Sequence, residues 1–115
     1  MRLPNAEHAE ITEAKIVKYL LSTSHRAGKS KAAFFMQFGF TAGQWEDLAG
    51  ALKRHATHNE ITAEEKTIFG TRYVIEGRLE APDGTWLNVR SAWFVDNDGE
   101  IPRFVTAHPL RRRRA

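Results

Sequence analysis

The residues best suited to chemistry stand close together in one segment of the first half of the chain, residues 24–31. His25 is an imidazole that can take or give a proton near neutral pH, and it is followed by Lys29 and Lys31. Gly28 allows close backbone approach at a predicted helix start, where free N–H groups favour a phosphate or a carboxylate. We therefore predict an anion site here. The alternative is a solvated connection between two helices.

The string Gly28-Lys29-Ser30-Lys31 has some likeness to a nucleotide-binding P-loop. It lacks the upstream glycine at the required spacing, and no strand is predicted before it, so we reject that motif.

A second group of candidate residues lies on the predicted strands. Thr106 and His108 are two residues apart, so their side chains share one face of the last strand. Together with the strand cations Arg72 and Arg90, they would line one side of a cleft. The alternative is the polar outer face of a half-buried sheet.

Three aromatic residues and one pair of histidines each allow two interpretations of their role. Tyr73, Trp86 and Trp93 could stack on nucleic-acid bases, or they could pack in the core of the sheet. His55 and His58 are three apart, but no third ligand stands at a diagnostic spacing. We predict no metal site, and we interpret the pair as solvent-facing or as interacting with a helix C-terminal dipole.

Charge is distributed unevenly along the 115 residues. Four of the 17 cations are the consecutive Arg111–Arg114, which leaves 13 cations against 14 carboxylates in the rest of the chain. The stretch from Ala14 to Trp45 carries five cations and no carboxylate. We predict one domain over residues 1–110 and a disordered, arginine-rich tail over 111–115, which either contacts nucleic-acid phosphate or only aids solubility.

Composition also excludes several classes of protein. The absence of cysteine rules out disulfides, thiolate zinc sites and a cysteine nucleophile. No apolar run is long enough to span a bilayer, and residues 1–10 lack the pattern of a secretory signal. The expectation is a cytoplasmic protein, or a fragment delivered into the cytosol, with no membrane association and no cofactor.

The first half of the chain predicts three helices that would position the cationic segment. The first helix begins at the N-cap Thr12, the second covers about residues 30–38 with Gly39 after its end, and the third begins at the capping box Thr41–Gln44 and runs to about residues 53–55. Each helix has an apolar stripe that can be buried.

The second half predicts an antiparallel meander. Strands are expected from Arg72, over 86–95 and over 101–108, with turns at 81–84 and 96–99. Residues 57–70 leave a further short strand open, and Gly77 suggests a β-bulge. The predicted fold class is α+β, with three N-terminal helices packed on a C-terminal antiparallel meander of three to four strands.

These residues also resemble an uncharacterised bacterial domain family over roughly residues 2–109. The resemblance is carried by Leu3-Pro4-Asn5-Ala6, by Lys15 with Tyr19-Leu20-Leu21, by His25-x-x-Gly28-x-x-Lys31-Ala32 and by Phe35. It continues in Gly70-x-Arg72-Tyr73-x-Ile75, Val89-Arg90-Ser91-x-Trp93 and Pro102-x-x-Val105-Thr106. Members of this family occur as short stand-alone proteins and at the C-termini of polymorphic and contact-dependent toxins, and they are similar to ribonucleases of the barnase–EndoU–colicin–RelE type.

The resemblance implies a metal-independent, toxin-like ribonuclease acting on tRNA or another RNA. The implied site residues are His25, Lys31, Arg72, Arg90 and Thr106, with Lys15 and Trp93 as supporting matches in substrate binding. The residues themselves add Lys29 and His108 to substrate binding, and His108 is also a reserve acid. RNA and a small acidic immunity or antitoxin protein are the implied partners. The alternative is a non-catalytic interaction module, or an inactive relative of a toxin.

Overall fold

Four antiparallel strands form the second half of the protein. The computed structural model describes residues 1–21 and 29–110, with Lys29 and Ser30 described by their backbone alone. The strands are β1 (Ile61–Lys66), β2 (Gly70–Glu80), β3 (Trp86–Asp96) and β4 (Arg103–Pro109). They lie in the order β1-β2-β3-β4, so each strand pairs with the next one along the chain. The α+β class and the antiparallel meander are confirmed, with β1 formed by part of the segment whose structure the sequence left open.

One face of the sheet is apolar and forms the core. Side chains alternate along β3, so Leu87, Val89, Ser91 and Trp93 all point to the same face and are buried. Across the sheet they are joined by the buried residues Ile75 and Leu79 of β2 and Phe104 and Ala107 of β4. The other face carries the intervening residues, and most of the polar candidates lie there.

The helix that packs on β2 from the core side is α2 (Trp45–His58). Its start is set by a 3-10 turn, Ala42–Gln44, and by Thr41, whose Oγ1 accepts from the Gln44 N–H at 3.3 Å. The predicted N-cap is therefore present, although the helix extends to His58, beyond the expected end. Leu48 and Leu52 are fully buried on its inner face.

Of the other two predicted helices, the first differs from the expectation in type, and the second agrees with it in position and in the left-handed Gly39 after its end. The first is a π-helix, Lys15–Leu20, preceded by Thr12, whose Oγ1 accepts from the Lys15 N–H at 3.2 Å. The second is α1 (Lys29–Gln37), which ends in a Schellman motif closed by the Phe40 N–H donating to the Phe35 carbonyl at 3.3 Å. Both contact β4. Three helical segments are therefore present among the described residues, but α2 alone is long, and the first two contact the sheet at β4 instead of covering its apolar face as α2 does.

The structure corrects two local predictions, the β-bulge at Gly77 and the solvent-facing position of His55. Gly77 does not mark a bulge, since the β2–β3 register is continuous from Gly70 to Glu80. Instead a Cβ at Gly77 would lie 2.2 Å from Asn59 Oδ1, so glycine permits the end of α2 to approach β2. His55 is not solvent-facing: only 2% of its surface is exposed.

Among residues 1–21 and 29–110, no helix combines the length and the apolar character needed to cross a membrane.

Candidate functional site

A small hydrogen-bonded group joins the helical segments to the sheet. Lys31 Nζ donates to Tyr19 Oη at 2.8 Å and to Thr106 Oγ1 at 3.1 Å, and the two oxygens are 3.5 Å apart. The ammonium also lies 5.0 Å from the centroid of the Tyr19 ring. We call these three residues the Lys31 cluster. All three side chains are half-buried.

Each member of the Lys31 cluster comes from a different element. Lys31 lies in the first turn of α1, Tyr19 in the π-helix and Thr106 in the middle of β4. The site exists because both helical segments contact β4. Residues that are 12 and 75 positions apart in sequence therefore meet at one point.

Lys15 adds a second positive charge next to the Lys31 cluster. Its Nζ donates to the Val105 carbonyl at 3.2 Å and lies 5.9 Å from the Tyr19 ring centroid. Within the part of the chain that the structure describes, neither Lys15 nor Lys31 has a carboxylate at ion-pair distance. The two ammonium groups therefore leave a local excess of positive charge, which suits an anionic ligand.

His108 stands on β4 beside the cluster. It pairs with Arg90 of β3, on the sheet face that also carries Thr106. Burial lowers the pKa of His108, and the positive charges of Lys31, Arg90 and Arg72 lower it further. Because the pKa falls from an ordinary value of 6.5, the imidazole is neutral at pH 7 and can accept a proton.

Arg72 and Arg90 differ in how firmly they are held. Arg90 donates from Nε to Glu76 Oε2 at 2.6 Å, and its terminal amino group forms an ion pair with the same carboxylate. The register places Glu76 directly across from Arg90, so this is a cross-strand pair. Among the described residues, Arg72 has no such carboxylate partner. It is the arginine better placed to bind an anion.

Tyr19 is a member of the site to which sequence reasoning assigned no role. The hydrogen bond from Lys31 lowers its pKa, as do the hydrogen bond with Thr106 and the charges of Lys31 and Lys15, while burial acts in the opposite direction. Glu76 was missed as well. The alternation along β2 places it on the same face as Arg72, and that pattern could have signalled its place.

Two of the sequence-predicted site residues cannot be placed by their side chains. His25 lies outside the described residues, and Lys29 is described only by its backbone at the start of α1. The tail 111–115 also lies outside them.

Trp93 is placed in the core instead of at the site. Its exposed fraction is 0%, and its ring packs edge-on against Phe104 at a centroid distance of 5.4 Å. Its Nε1–H donates to Ser91 Oγ at 2.8 Å. Because this side chain has no accessible surface, it packs in the core of the sheet, which was the alternative to base stacking. Its position does not support the prediction that it binds substrate.

His55 belongs to the same buried network. Its Nε2 lies 3.0 Å from the Val89 carbonyl and 3.2 Å from the Gly77 carbonyl, so Nε2 carries the proton. Nδ1 is then an acceptor for the Ser91 hydroxyl at 3.1 Å. This imidazole is fully hydrogen-bonded within the core and is separate from the Lys31 cluster.

The described residues contain no group of three or more His, Asp or Glu close enough to hold a metal ion. Among the described residues, the site offers two ammonium groups and one guanidinium without a carboxylate partner, together with a neutral imidazole and two hydroxyls.

The fold is similar to that of a solved protein. A chain of the contact-dependent growth inhibition toxin–immunity protein complex from Klebsiella pneumoniae 342 superimposes with a TM-score of 0.69 and 16% sequence identity. The match covers 94% of this chain and 98% of that one. At this identity the likeness concerns the fold alone. The comparison with curated proteins gives no match.

Sequence comparison with family models gives a match along nearly the whole chain. Residues 2–111 match a single model, and this range includes both the Lys31 cluster and the sheet. The chain belongs to the family described as Domain of unknown function (DUF6883).

Proposed function

We propose that this chain is a toxin-related domain that cleaves RNA without a metal ion, and that cleavage takes place at the Lys31 cluster. The observation that carries the proposal is the position of Lys31. Its ammonium has no carboxylate partner among the described residues and is fixed by Tyr19 and Thr106 beside a neutral His108. The fold shared with a chain of a toxin–immunity complex supports the toxin-related part.

The chemistry would be an internal displacement at phosphorus. A base removes the proton from the ribose 2′-OH, the 2′-oxygen forms a bond to phosphorus, and the bond from phosphorus to the 5′-oxygen breaks. The leaving oxygen then takes a proton from an acid, so atoms and charges balance. Cations at the phosphate stabilise the additional negative charge that develops during the reaction.

In this proposal His108 is the base, because its lowered pKa keeps it unprotonated at neutral pH. Lys31 and Arg72 bind the phosphate, while Thr106 and Arg90 hold Lys31 and the sheet face in position. The acid is His25 or Tyr19. His25 is retained on the sequence argument, and the lowered pKa of Tyr19 makes its phenol a better proton donor.

The test is incubation of the protein with total tRNA in the presence of EDTA. We expect cleavage by the wild type, and a loss of about 100-fold or more in rate for Lys31→Met and for His108→Gln. His25→Ala identifies the acid: a loss of the same size assigns the role to His25, and a wild-type rate assigns it to Tyr19. Tyr19→Phe does not serve for this purpose, because it also removes an oxygen that holds Lys31.

Matched controls are available elsewhere on the surface. Lys66→Met and His8→Gln replace exposed side chains of the same types, and both should cleave at the wild-type rate. An absence of cleavage by the folded wild type, or equal rates in all variants, would contradict the proposal.

A second candidate function is a non-catalytic module that binds an acidic protein. The observation in its favour is the Arg90–Glu76 ion pair, which occupies one of the cations expected to bind phosphate. A small acidic immunity or antitoxin protein would be the partner, covering Lys15, Lys31 and Arg72 by charge complementarity. The absence of tRNA cleavage together with salt-sensitive binding of such a partner would favour this function.

A further inference from the structure

Trp86 is a large aromatic side chain that the sheet leaves accessible. It begins β3, and 53% of its surface is exposed, whereas Trp93 of the same strand is fully buried. The Arg78 guanidinium lies 5.1 Å from the centroid of the Trp86 ring. Packing in the core uses the whole Trp93 side chain, whereas about half of the Trp86 side chain is accessible to a ligand.

The strand register places this pair on the same sheet face as the candidate site. Trp86 and Arg90 are four residues apart on β3, so their side chains point the same way at a separation of roughly 13 Å. Trp86 pairs with Glu80, and Arg78 lies two residues before Glu80 on β2, on the same face, which also carries Glu76. An elongated ligand bound at the Lys31 cluster and running along β3 would therefore reach Trp86.

Positive charge accompanies Trp86 as well. A groove of about 240 Å³ between the end of α2 and the β2–β3 hairpin is lined by Trp86 together with five titratable residues, of which Glu80 is the single carboxylate and the others are Arg54, His55, His58 and Arg78. The described chain ends nearby, because the Leu110 N–H donates to the Asn88 carbonyl at 2.9 Å. Arg111–Arg114 follow Leu110 in the sequence.

An exposed aromatic ring next to several cations suits single-stranded nucleic acid. Its bases can stack on the ring, and its phosphates can pair with the arginines. A base within a duplex already stacks on its neighbours and is not free to do so. This difference distinguishes the two forms of RNA experimentally.

We propose that Trp86 and Arg78 form a base-stacking platform, which binds one base of a single-stranded RNA whose phosphate occupies the Lys31 cluster. This inference rests on the proposed function, because it extends the same substrate along the sheet. It adds the substrate class, single-stranded RNA, and a binding contact away from the reacting groups.

The test uses an RNA that can bind but cannot react. A single strand of about 12 nucleotides with 2′-O-methyl groups has no free 2′-OH, so its dissociation constant is measured without cleavage. We expect Trp86→Ala to weaken binding of this strand about 5- to 150-fold and Trp86→Phe to retain most of the affinity. Arg78→Gln should weaken binding as well, and the same sequence in a duplex should show no dependence on Trp86.

A matched control lies at the other end of the sheet. Phe69, in the turn before β2, is 72% exposed, and Phe69→Ala should leave the dissociation constant unchanged. Equal affinities of the wild type and Trp86→Ala for the single strand would overturn the inference.

Cleavage of unmodified RNA, measured in parallel, separates this inference from the proposed function. If the wild type cleaves but binding does not depend on Trp86, the platform is wrong and the ribonuclease stands. Trp86-dependent binding without cleavage leaves the platform standing and rejects the ribonuclease. Complete absence of RNA binding rejects both.

Discussion

Two histidines illustrate how position decides what a side chain can do. His55 and His108 both have a lowered pKa, and in both cases burial is the largest cause. For His55 the surroundings are carbonyls and a hydroxyl within the core, so its hydrogen bonds fix the ring in one tautomer. His108 instead faces the cations Lys31, Arg90 and Arg72 at the surface. The first histidine stabilises the fold, and the second is available to a ligand.

The lowered pKa of His55 predicts a pH-dependent stability. The unfolded chain binds a proton at about its ordinary value of 6.5, whereas the folded protein binds it only at lower pH. As the pH falls from about 7.5 to about 5.5, protonation therefore favours the unfolded chain, and the free energy of unfolding decreases. Urea unfolding at the two pH values measures this decrease.

Variants assign the pH dependence to its source. His55→Gln should have a lower free energy of unfolding than the wild type at both pH values. The decrease between the two pH values should be smaller in this variant than in the wild type. His108→Gln should also reduce the pH dependence, because the pKa of His108 is lowered too. The interpretation fails if His55→Gln retains the full wild-type decrease.

At the scale of elements, the ends of α2 hold the core side of the sheet together. Thr41 caps the 3-10 turn that leads into α2, and Asn59, just after the end of α2, donates from Nδ2 to the His55 carbonyl at 2.9 Å and to the Arg78 carbonyl at 3.3 Å. The helix is thus tied both to its own backbone and to β2. Because His55 hydrogen-bonds to β2 and β3 as well, a loosened α2 would weaken the core network.

Removal of the Thr41 cap should lower the free energy of unfolding by an amount that is typical for N-caps. Thr41→Ala removes the oxygen that accepts from the Gln44 N–H, and we expect the free energy of unfolding to fall by about 1 kcal/mol. Thr85→Ala is the control, since Thr85 is exposed in the β2–β3 turn and should change stability by less than about 0.5 kcal/mol. Urea unfolding at constant pH measures both, and equal stabilities of Thr41→Ala and wild type would contradict the role of the cap.

At the scale of the whole molecule, charge is separated between the body and the tail. The chain carries a net formal charge of +3, and Arg111–Arg114 account for more than all of it. The cationic face at Lys15, Lys31 and Arg72 is therefore a local feature of a body that is close to neutral. Non-specific attraction of RNA would depend strongly on the tail, whereas positioning would depend on the face.

Replacing the four arginines by glutamine tests this separation. We expect the affinity for single-stranded RNA to decrease, and the slope of log K against log salt to flatten by up to about 3, because up to four phosphate contacts are removed. The dependence of binding on Trp86 should remain. An unchanged slope would show that the tail makes no contact with the bound RNA.

Short-range patterns in the sequence were sufficient for most of the elements. The alternation along β3, the turns at 81–84 and 96–99 and the N-cap Thr41 were predicted and are present, because each depends on residues near one another in the chain. The π-helix and the placement of the first two helical segments beside β4 were not predicted. They depend on how distant elements pack, and the pattern of a single helix does not contain that information.

In the candidate site as well, some features follow from the sequence and others depend on how distant elements pack. Residue types and spacing predict which groups are available: lysines in a stretch free of carboxylates, Thr106 and His108 on one strand face, and arginines on the neighbouring strands. Packing of distant elements determines that Lys31 reaches Tyr19 and Thr106, that Arg90 is neutralised by Glu76, and that Trp93 is buried while Trp86 is not. A contact between residues 75 positions apart is fixed by strand register and helix packing, because these come from burial of the whole core and not from local propensity.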